Sequence, residues 1–553
     1  METEAQPRTA GAWWAEGDLP VRAGCRVEPC IDGHVAMLRM CRAFLAAKRY
    51  ILLAGWDIQA ELPLVRGEDA VPGPPASAAF RTLMTELRQE GLDDAAIALW
   101  TSKRLRVCDV LGFAVSRGVK VGVLLWDAFH YGSHITNDPK KQQQVLRDVG
   151  VDCVLDDSSR HITHLTESLH QKCCVVDGEV AFVGGIDLTV QENGDYDRWD
   201  THRHPCVSTV RTVERRPATH PWHDVHTRLT GPVVADVQRN ITQRWLDVAA
   251  RHKTSAWPGE LEPPAGDAAT VSAGTATAQI VRTIPPDSYA FAPHGISTIK
   301  QAYLHAITQA RRFIYLENQY LWPEVFLGLD KLKWGGKSPD LQEVLEAFAG
   351  ALERGVHVAI VLPDHPNCGR VFTDDGVEIL KERAAAAGHN DCFHAFILGN
   401  SDTVSDAPGG ILYRPVYTHA KVAIVDDEWF TVGSANLNSR GMRTDAEINV
   451  SVLDPATARS LRFSLWTEHL QRPANAHEGI EDAIEGLQTI EALAESNRDR
   501  VRRRLPIQGH LLPYITEKAG HELALPVHQE HGWLDNLEGG AGGYELKHAG
   551  RYI

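Results

Sequence analysis

Two rhythms of apolar and polar residues alternate along this chain, and they recur in the same order in its two halves. Val35 to Ala47 and Thr298 to Ala310 carry apolar residues at helical spacing. Each leads into an apolar run, Tyr50 to Trp56 or Phe313 to Tyr320, that reads as a strand covered on both faces. A further helix ends at Arg117-Gly118-Val119 or Arg354-Gly355-Val356, where glycine suits a helix C-terminus. The apolar strands Val119 to Trp126 and Val356 to Leu362 follow. Then come His170-Gln-Lys172-Cys-Cys-Val-Val-Asp177 and His419-Ala-Lys421-Val-Ala-Ile-Val-Asp426. Each is a short strand that turns, at Asp177-Gly178 or Asp426-Asp427, into another apolar strand.

These landmarks are about 240–260 residues apart, a domain-sized period that indicates an internal duplication. Helices alternating with buried strands predict an α/β fold: two similar α/β/α sandwiches, mixed sheets flanked by helices, with an active site at their interface. The first domain is placed at 20–252. A linker rich in Pro, Gly, Ala and Thr is placed at 253–278, and the second domain at 279–476. Residues 477–553 are expected to hold a helix from His477 to Leu505 and an irregular, Gly-rich end from Gly532 to Ile553. The low-periodicity stretch Trp322 to Asp340 is a candidate loop at the site mouth.

At 553 residues the chain is too long for one core, and its 43% apolar and 23% charged residues are those of a soluble globular protein. No apolar run is long enough to cross a membrane, and the N-terminus lacks the pattern of a secretory signal. A cytoplasmic protein is expected, with peripheral membrane association. A net charge of −16 disfavours a nucleic-acid partner. The ten cysteines show no C-x-x-C or zinc-like spacing, and Cys173 and Cys174 read as packing residues.

The two His-x-Lys segments carry the chemistry. On a strand, residues two apart face the same way, so His170 with Lys172 and His419 with Lys421 each form a pair. One histidine can attack a phosphodiester and the other protonate the leaving group. Two lysines can hold the charge that spreads over the phosphoryl oxygens. Neither metal nor cofactor is needed for these steps.

With these residues in place, the chain resembles the phospholipase D superfamily of HKD enzymes over about Cys30 to Leu470. The second signature runs on to Gly433-Ser434-Ala-Asn436, similar to the family's Gly-Ser-x-Asn extension. The first runs on to Gly184-Gly185-Ile-Asp187, which resembles the Gly-Gly-x-Asp variant of two-motif phospholipases D. Ile314-Tyr-Leu-Glu317-Asn318-Gln319-Tyr320, Arg198-Trp-Asp200-Thr and Pro221-Trp222-His223-Asp224 resemble segments of the eukaryotic-type branch. The resemblance implies that His170 is the nucleophile and His419 the general acid and later base, an order the pseudo-twofold leaves exchangeable. It implies a carboxylate behind each imidazole: Asp224 for His170, and Glu447 or the nearby Asp445 for His419. Ser434 and Asn436 are expected to bind phosphate, and Asp187 to bond backbone or a histidine. Asn318 and Gln319 either position substrate or form a buried polar network. The signature acids Asp177 and Asp426 lie beyond the strand and read as structural.

The function implied is hydrolysis of the distal phosphodiester of glycerophospholipids to phosphatidate plus alcohol, with transphosphatidylation when another alcohol is present. Trp56, Trp126, Tyr320 and Trp322 either line an apolar mouth or belong to the core. A cardiolipin synthase-type transferase, an HKD nuclease or phosphodiesterase, and a non-enzymatic lipid-binding protein are the competing readings. With both motifs in one chain, a monomer is expected.

Overall fold

A computed structural model describes residues 10–70, 73–128, 137–158, 167–190, 198–199, 201, 221–254, 257–258, 261, 271–325, 336–364, 370–403 and 410–516. Gly532 to Ile553, Asp200, half of the expected linker and much of the stretch from Trp322 to Asp340 lie outside them. The strands are β1 (Arg22–Ile31), β2 (Tyr50–Gly55), β3 (Lys120–Trp126), β4 (Asp152–Asp156), β5 (Lys172–Val176), β6 (Val180–Gly184), β7 (Trp222–His223), β8 (Val225–Thr230) and β9 (Ala276–Ile284). They continue with β10 (Ile296–Ser297), β11 (Phe313–Glu317), β12 (His357–Val361), β13 (Phe393–Thr403), β14 (Ile411–Thr418), β15 (Val422–Val425), β16 (Trp429–Gly433), β17 (Glu447–Leu453) and β18 (Leu511–Pro513).

In the first half neighbouring strands follow the order β4-β3-β2-β5-β6-β8-β1. In the second they follow β13-β12-β11-β15-β16-β17-β9. The orders correspond strand for strand, and β1 pairs antiparallel with β9 where the halves meet. In each half the strands carrying the Tyr50 and Phe313 runs pair parallel with the next strands in sequence and antiparallel with the signature strand, so both sheets are mixed. Helices Asp32–Ala46 and Val107–Ser116 pack in the first half's own core, and Thr298–Gln309 and Pro339–Glu353 in the second's. A third core runs through both halves, joining Val175, Val225 and Trp245 to Val422, Ile448 and Trp466.

The hairpin turns have one backbone solution. Asp177 and Gly178 have φ of 55° and 69°, and Asp426 and Asp427 both 54°, the left-handed pair that a two-residue turn between twisted strands demands. Asp177 accepts from the amides of Lys48, Arg49 and Tyr50 at 2.8, 2.7 and 2.9 Å. Asp426 accepts from Arg311, Arg312 and Phe313, each at 2.9 Å. The signature acids thus fasten the hairpin to the start of the central strand. At about 3.3 Å per residue they lie some 20 Å from the histidines of their own signatures.

Three boundaries differ from the sequence expectation. β9 begins at Ala276, inside the segment read as linker, because the threonine- and alanine-rich stretch pairs with β17 and β1. Residues 477–516 pack with the second half rather than standing apart from it. Its helix, Ala483–Arg502, starts where Asp482 caps the amides of Ile484 and Glu485, and β18 adds to β13. The run from Phe313 leaves the sheet at Glu317, so Asn318 to Tyr320 form a turn past the strand end.

Candidate active site

Both signature strands deliver their histidines to the seam. Leu169 bridges in parallel to Ala446, and Thr418 pairs in parallel with His223. Each histidine is therefore anchored on backbone from the other half. His170 Nδ1 lies 2.9 Å from Glu447 Oε1 and 3.1 Å from Oε2. His419 Nδ1 lies 2.7 Å from Asp224 Oδ2. This reverses the assignment expected from sequence, in which Asp224 served His170 and Glu447 served His419. The reason is the seam itself: strand pairing across it brings each acid to the opposite half's histidine. Asp445 is not the partner of His419 either. Its Oδ1 accepts from the Ser168 amide at 2.8 Å, and Arg440 grips it at 2.8 and 3.0 Å.

Internal hydrogen bonds make the two acids equivalent by the pseudo-twofold. The amide of Gly185 donates to Val225 O, and that of Ser434 to Ile448 O. Asp224 and Glu447 are the residues just before those acceptors. A carboxylate on Nδ1 fixes the tautomer and leaves Nε2 as the nitrogen for chemistry.

The lysines reach the same place. Lys172 Nζ donates to His170 O at 2.8 Å and lies 3.2 Å from Asp187 Oδ2. Lys421 Nζ donates to His419 O and, at 3.3 Å, to Gln319 Oε1. Asn436 Nδ2 donates to the same Gln319 oxygen at 3.2 Å. Ser434 Oγ donates to Glu447 Oε2 at 2.5 Å, so it orients the acid behind His170. Asn318 Oδ1 accepts from the amides of Tyr320 and Leu437 and fixes the loop that presents Asn436.

Aromatic rings wall the site on both sides. Trp56 meets His170 edge-on at 6.0 Å, stacks on Trp126 at 6.0 Å, and lies 5.5 Å from Lys172 Nζ. Trp222 lies 4.6 Å from His419 and stacks on Tyr417 at 4.7 Å. Tyr320 and Trp322 instead pack with Phe372 in a small cluster of their own.

Burial pushes the pKa of both histidines well below the ordinary value, and the two lysine charges act in the same direction. Burial raises Asp224 to about 6 and lifts Glu447 further, with Asp445 adding to the rise in Glu447. Lys421 is lowered to about 7, chiefly by burial.

Sequence reasoning missed the buried residues behind this constellation. His223 Nδ1 lies 2.9 Å from Asp32 Oδ1, and its Nε2 lies 2.8 Å from Glu317 Oε2. Glu317 Oε1 in turn meets His469 Nε2 at 2.9 Å. The signal for His223 was its place between Trp222 and Asp224; nothing in the pattern singled out Asp32 or His469. Among the described residues, three groups of His, Asp and Glu bring ligand-type atoms within 4.8 Å of one another: His223-Glu317-His469, Asp32-His223-Glu468 and His170-Asp445-Glu447. Each contains a histidine nitrogen already hydrogen-bonded to a carboxylate.

Comparison with known proteins gives this geometry a family. The family described as Phospholipase D matches residues 43–334 and 413–524, and that described as Cardiolipin synthase, PLD-like domain, matches 303–466. The chain is 26% identical over 622 residues to phospholipase D alpha 1 of Oryza sativa subsp. japonica, covering 90% of this chain and 70% of that one. It is 27% identical over 656 residues to phospholipase D alpha 2 of the same organism, covering 89% and 73%. Among solved structures it resembles the phosphatidylserine synthase of Haemophilus influenzae Rd KW20, with a TM-score of 0.48, 13% identity and coverage of 87% and 96%. With the Phospholipase D family matching most of its length and both signatures meeting at one seam, the chain is an enzyme that belongs to the phospholipase D family.

Proposed function

We propose that this enzyme hydrolyses the distal phosphodiester of glycerophospholipids through a phosphohistidine. His170 Nε2 attacks phosphorus, the bond to the headgroup oxygen breaks, and that oxygen takes a proton from His419. His419, now neutral, takes a proton from water as the water oxygen attacks. The phosphorus–nitrogen bond breaks, phosphatidate leaves and His170 is restored. An alcohol in place of water gives transphosphatidylation by the same steps.

The observation that carries this reading is the crossed pair of buried carboxylates, one on the Nδ1 of each histidine, with a lysine beside each ring. The inequality of the two sides supports the order of events. Asp445 beside Glu447 disfavours its ionised form, so Glu447 is the weaker stabiliser of a protonated histidine. Asp224 has no carboxylate at the position equivalent to Asp445, which is Trp222, and is better suited to stabilise a protonated His419.

A phosphatidyltransferase of the cardiolipin synthase type is the second reading, favoured by the match at 303–466. It uses the same intermediate with a lipid alcohol as acceptor. In either case the enzyme meets the bilayer as a peripheral protein and acts as a monomer, since one chain supplies both signatures. No helix among the described residues is long and apolar enough to cross a membrane.

Lipid mass spectrometry tests both readings. Phosphatidylcholine or phosphatidylethanolamine vesicles should yield phosphatidate, and with ethanol phosphatidylethanol, both persisting in EDTA and both lost in His170→Ala. Cleavage of oligonucleotides with no lipid product would overturn the proposal. Cardiolipin formed from phosphatidylglycerol in preference to phosphatidate would favour the second reading.

A further inference from the structure

Behind Asp224 lies a charged cluster that the chemistry above does not use. We propose that His223 is a positioning residue for the acid side of the reaction. It is an imidazolium clamped between Asp32 and Glu317 that holds Asp224, and through it His419, in the orientation that hands a proton to the leaving alcohol. The inference rests on His419 being the general acid.

The geometry fixes the charge on His223. Asp32, His223 and Glu317 are completely buried. Both ring nitrogens face a carboxylate oxygen within 3 Å, and against the opposing effect of burial the two carboxylates hold the imidazole well above its ordinary pKa, which favours a proton on each nitrogen. Glu317 also accepts from Tyr315 Oη at 2.7 Å and meets His469 Nε2, which satisfies its other oxygen. Asp32 takes a further hydrogen bond from Thr201, and a Glu468 carboxylate oxygen lies within 4.8 Å of the Asp32–His223 contact. His510 approaches from the same side through the bond of its amide to His469 O at 2.8 Å.

The cluster grips the acid machinery at three points. The amide of His419 donates to His223 O at 2.8 Å. The amide of Asp32 donates to Asp224 O at 2.7 Å, and Asp32 Oδ1 accepts from the Asp224 amide at 3.3 Å. Asp32 does this from φ +65°, in the left-handed region that aspartate visits more readily than most residues. The His223 charge beside Asp224 also favours its ionised form, the form that holds the imidazolium of His419.

The other half lacks all of it. By the register of the signature strands, Ala54 faces Cys173 where Glu317 faces Val422. Ala446 precedes Glu447 where His223 precedes Asp224. The same seam is built there with no buried histidine between two carboxylates behind its acid, so the fold does not require one.

The test separates protonation of the leaving group from everything else. A natural headgroup alkoxide needs a proton to depart; p-nitrophenolate does not. His223→Gln is expected to slow headgroup release from phosphatidylcholine vesicles by about 10-fold in kcat, with KM changed by less than about twofold. The pre-steady-state burst of p-nitrophenol from phosphatidyl-p-nitrophenol should stay within about twofold of the parent enzyme. Glu317→Gln, which keeps the shape and removes a charge, should show the same split more weakly, and it carries the test if His223→Gln fails to fold. A parallel fall in both assays, or no loss in either, would overturn the proposal. His419→Asn is the control on the underlying reading. If it slows both assays alike, the acid assignment is wrong. If it shows the split while His223→Gln and Glu317→Gln do not, only the role of His223 falls.

Discussion

The two sides of the seam are built alike and equipped differently. Where one lysine has Trp56 and the carboxylate of Asp187 for neighbours, the other has the amides of Gln319 and Asn436. Where Ser434 braces Glu447, the matching Gly185 has no side chain, and a Cβ there would stand 2.1 Å from Asp224 Oδ1. The shorter acid, which has no serine beside it, has the buried histidine behind it; the longer one has alanine. Symmetry brings two histidines to one seam, and in the proposed mechanism the departures from symmetry give them different work.

The largest effects should come from removing the histidines, and they should differ in kind. His170→Ala is expected to lower turnover by at least about 10⁴-fold and to leave no phosphoenzyme in a denaturant quench. His419→Ala should lose as much turnover yet accumulate the adduct from a substrate with a good leaving group. An adduct in His170→Ala would exchange the two roles.

The crossing of the acids gives the next test. Glu447→Gln and Asp224→Asn should each cost about 10³-fold or more, since an amide presents the wrong partner to Nδ1–H. The phenotypes should cross the seam: Glu447→Gln without adduct like His170→Ala, Asp224→Asn with adduct like His419→Ala. Pairing within halves would give the opposite pattern in the same quench.

A smaller effect is expected in the pH profile. Below about 6 Asp224 gains a proton and loses its hold on His419, so kcat/KM falls with falling pH. Above about 7 free enzyme loses the Lys421 charge that attracts phosphate, so kcat/KM falls with rising pH. Lys421→Arg stays charged and should abolish the alkaline limb while leaving the acid limb in place. Retention of the alkaline limb in that variant would assign it to another group.

The smallest effect on turnover is expected at the hairpin. Asp177→Asn should cost about 1–3 kcal/mol of stability in a denaturant melt, by weakening the bonds to three backbone amides, and leave kcat unchanged. Asp426→Asn should do the same in the other half. Loss of kcat without loss of stability would return these acids to the chemistry.

Much of this was legible in the chain. The alternation of helix and strand rhythms gave the duplicated α/β architecture, and the spacing of His170 from Lys172 and His419 from Lys421 gave the reacting pairs. What escaped was what crosses between halves. No local pattern says that the amide of Ala446 bonds Ser168 O, yet that bond brings Glu447 to His170 rather than to His419. Likewise Asp32, at the head of a helix, looks like an ordinary helix-start acid until β7 lays His223 beside it. Gln319 was visible as a polar residue past a strand, but its grip on Lys421 and Asn436 depends on the turn that begins at Asn318.

The exchange of carboxylates also bears on when a newly made chain becomes competent. His170 and its acid are 277 residues apart in sequence. At about 5–20 residues per second of synthesis, the first signature leaves the ribosome roughly 15–55 s before Glu447 does. During that interval the emerging half holds a histidine and a lysine but no acid to set the tautomer. A product that stops short of Glu447 lacks the acid of the first histidine, so the paired site forms only once both halves have been made and have closed on each other.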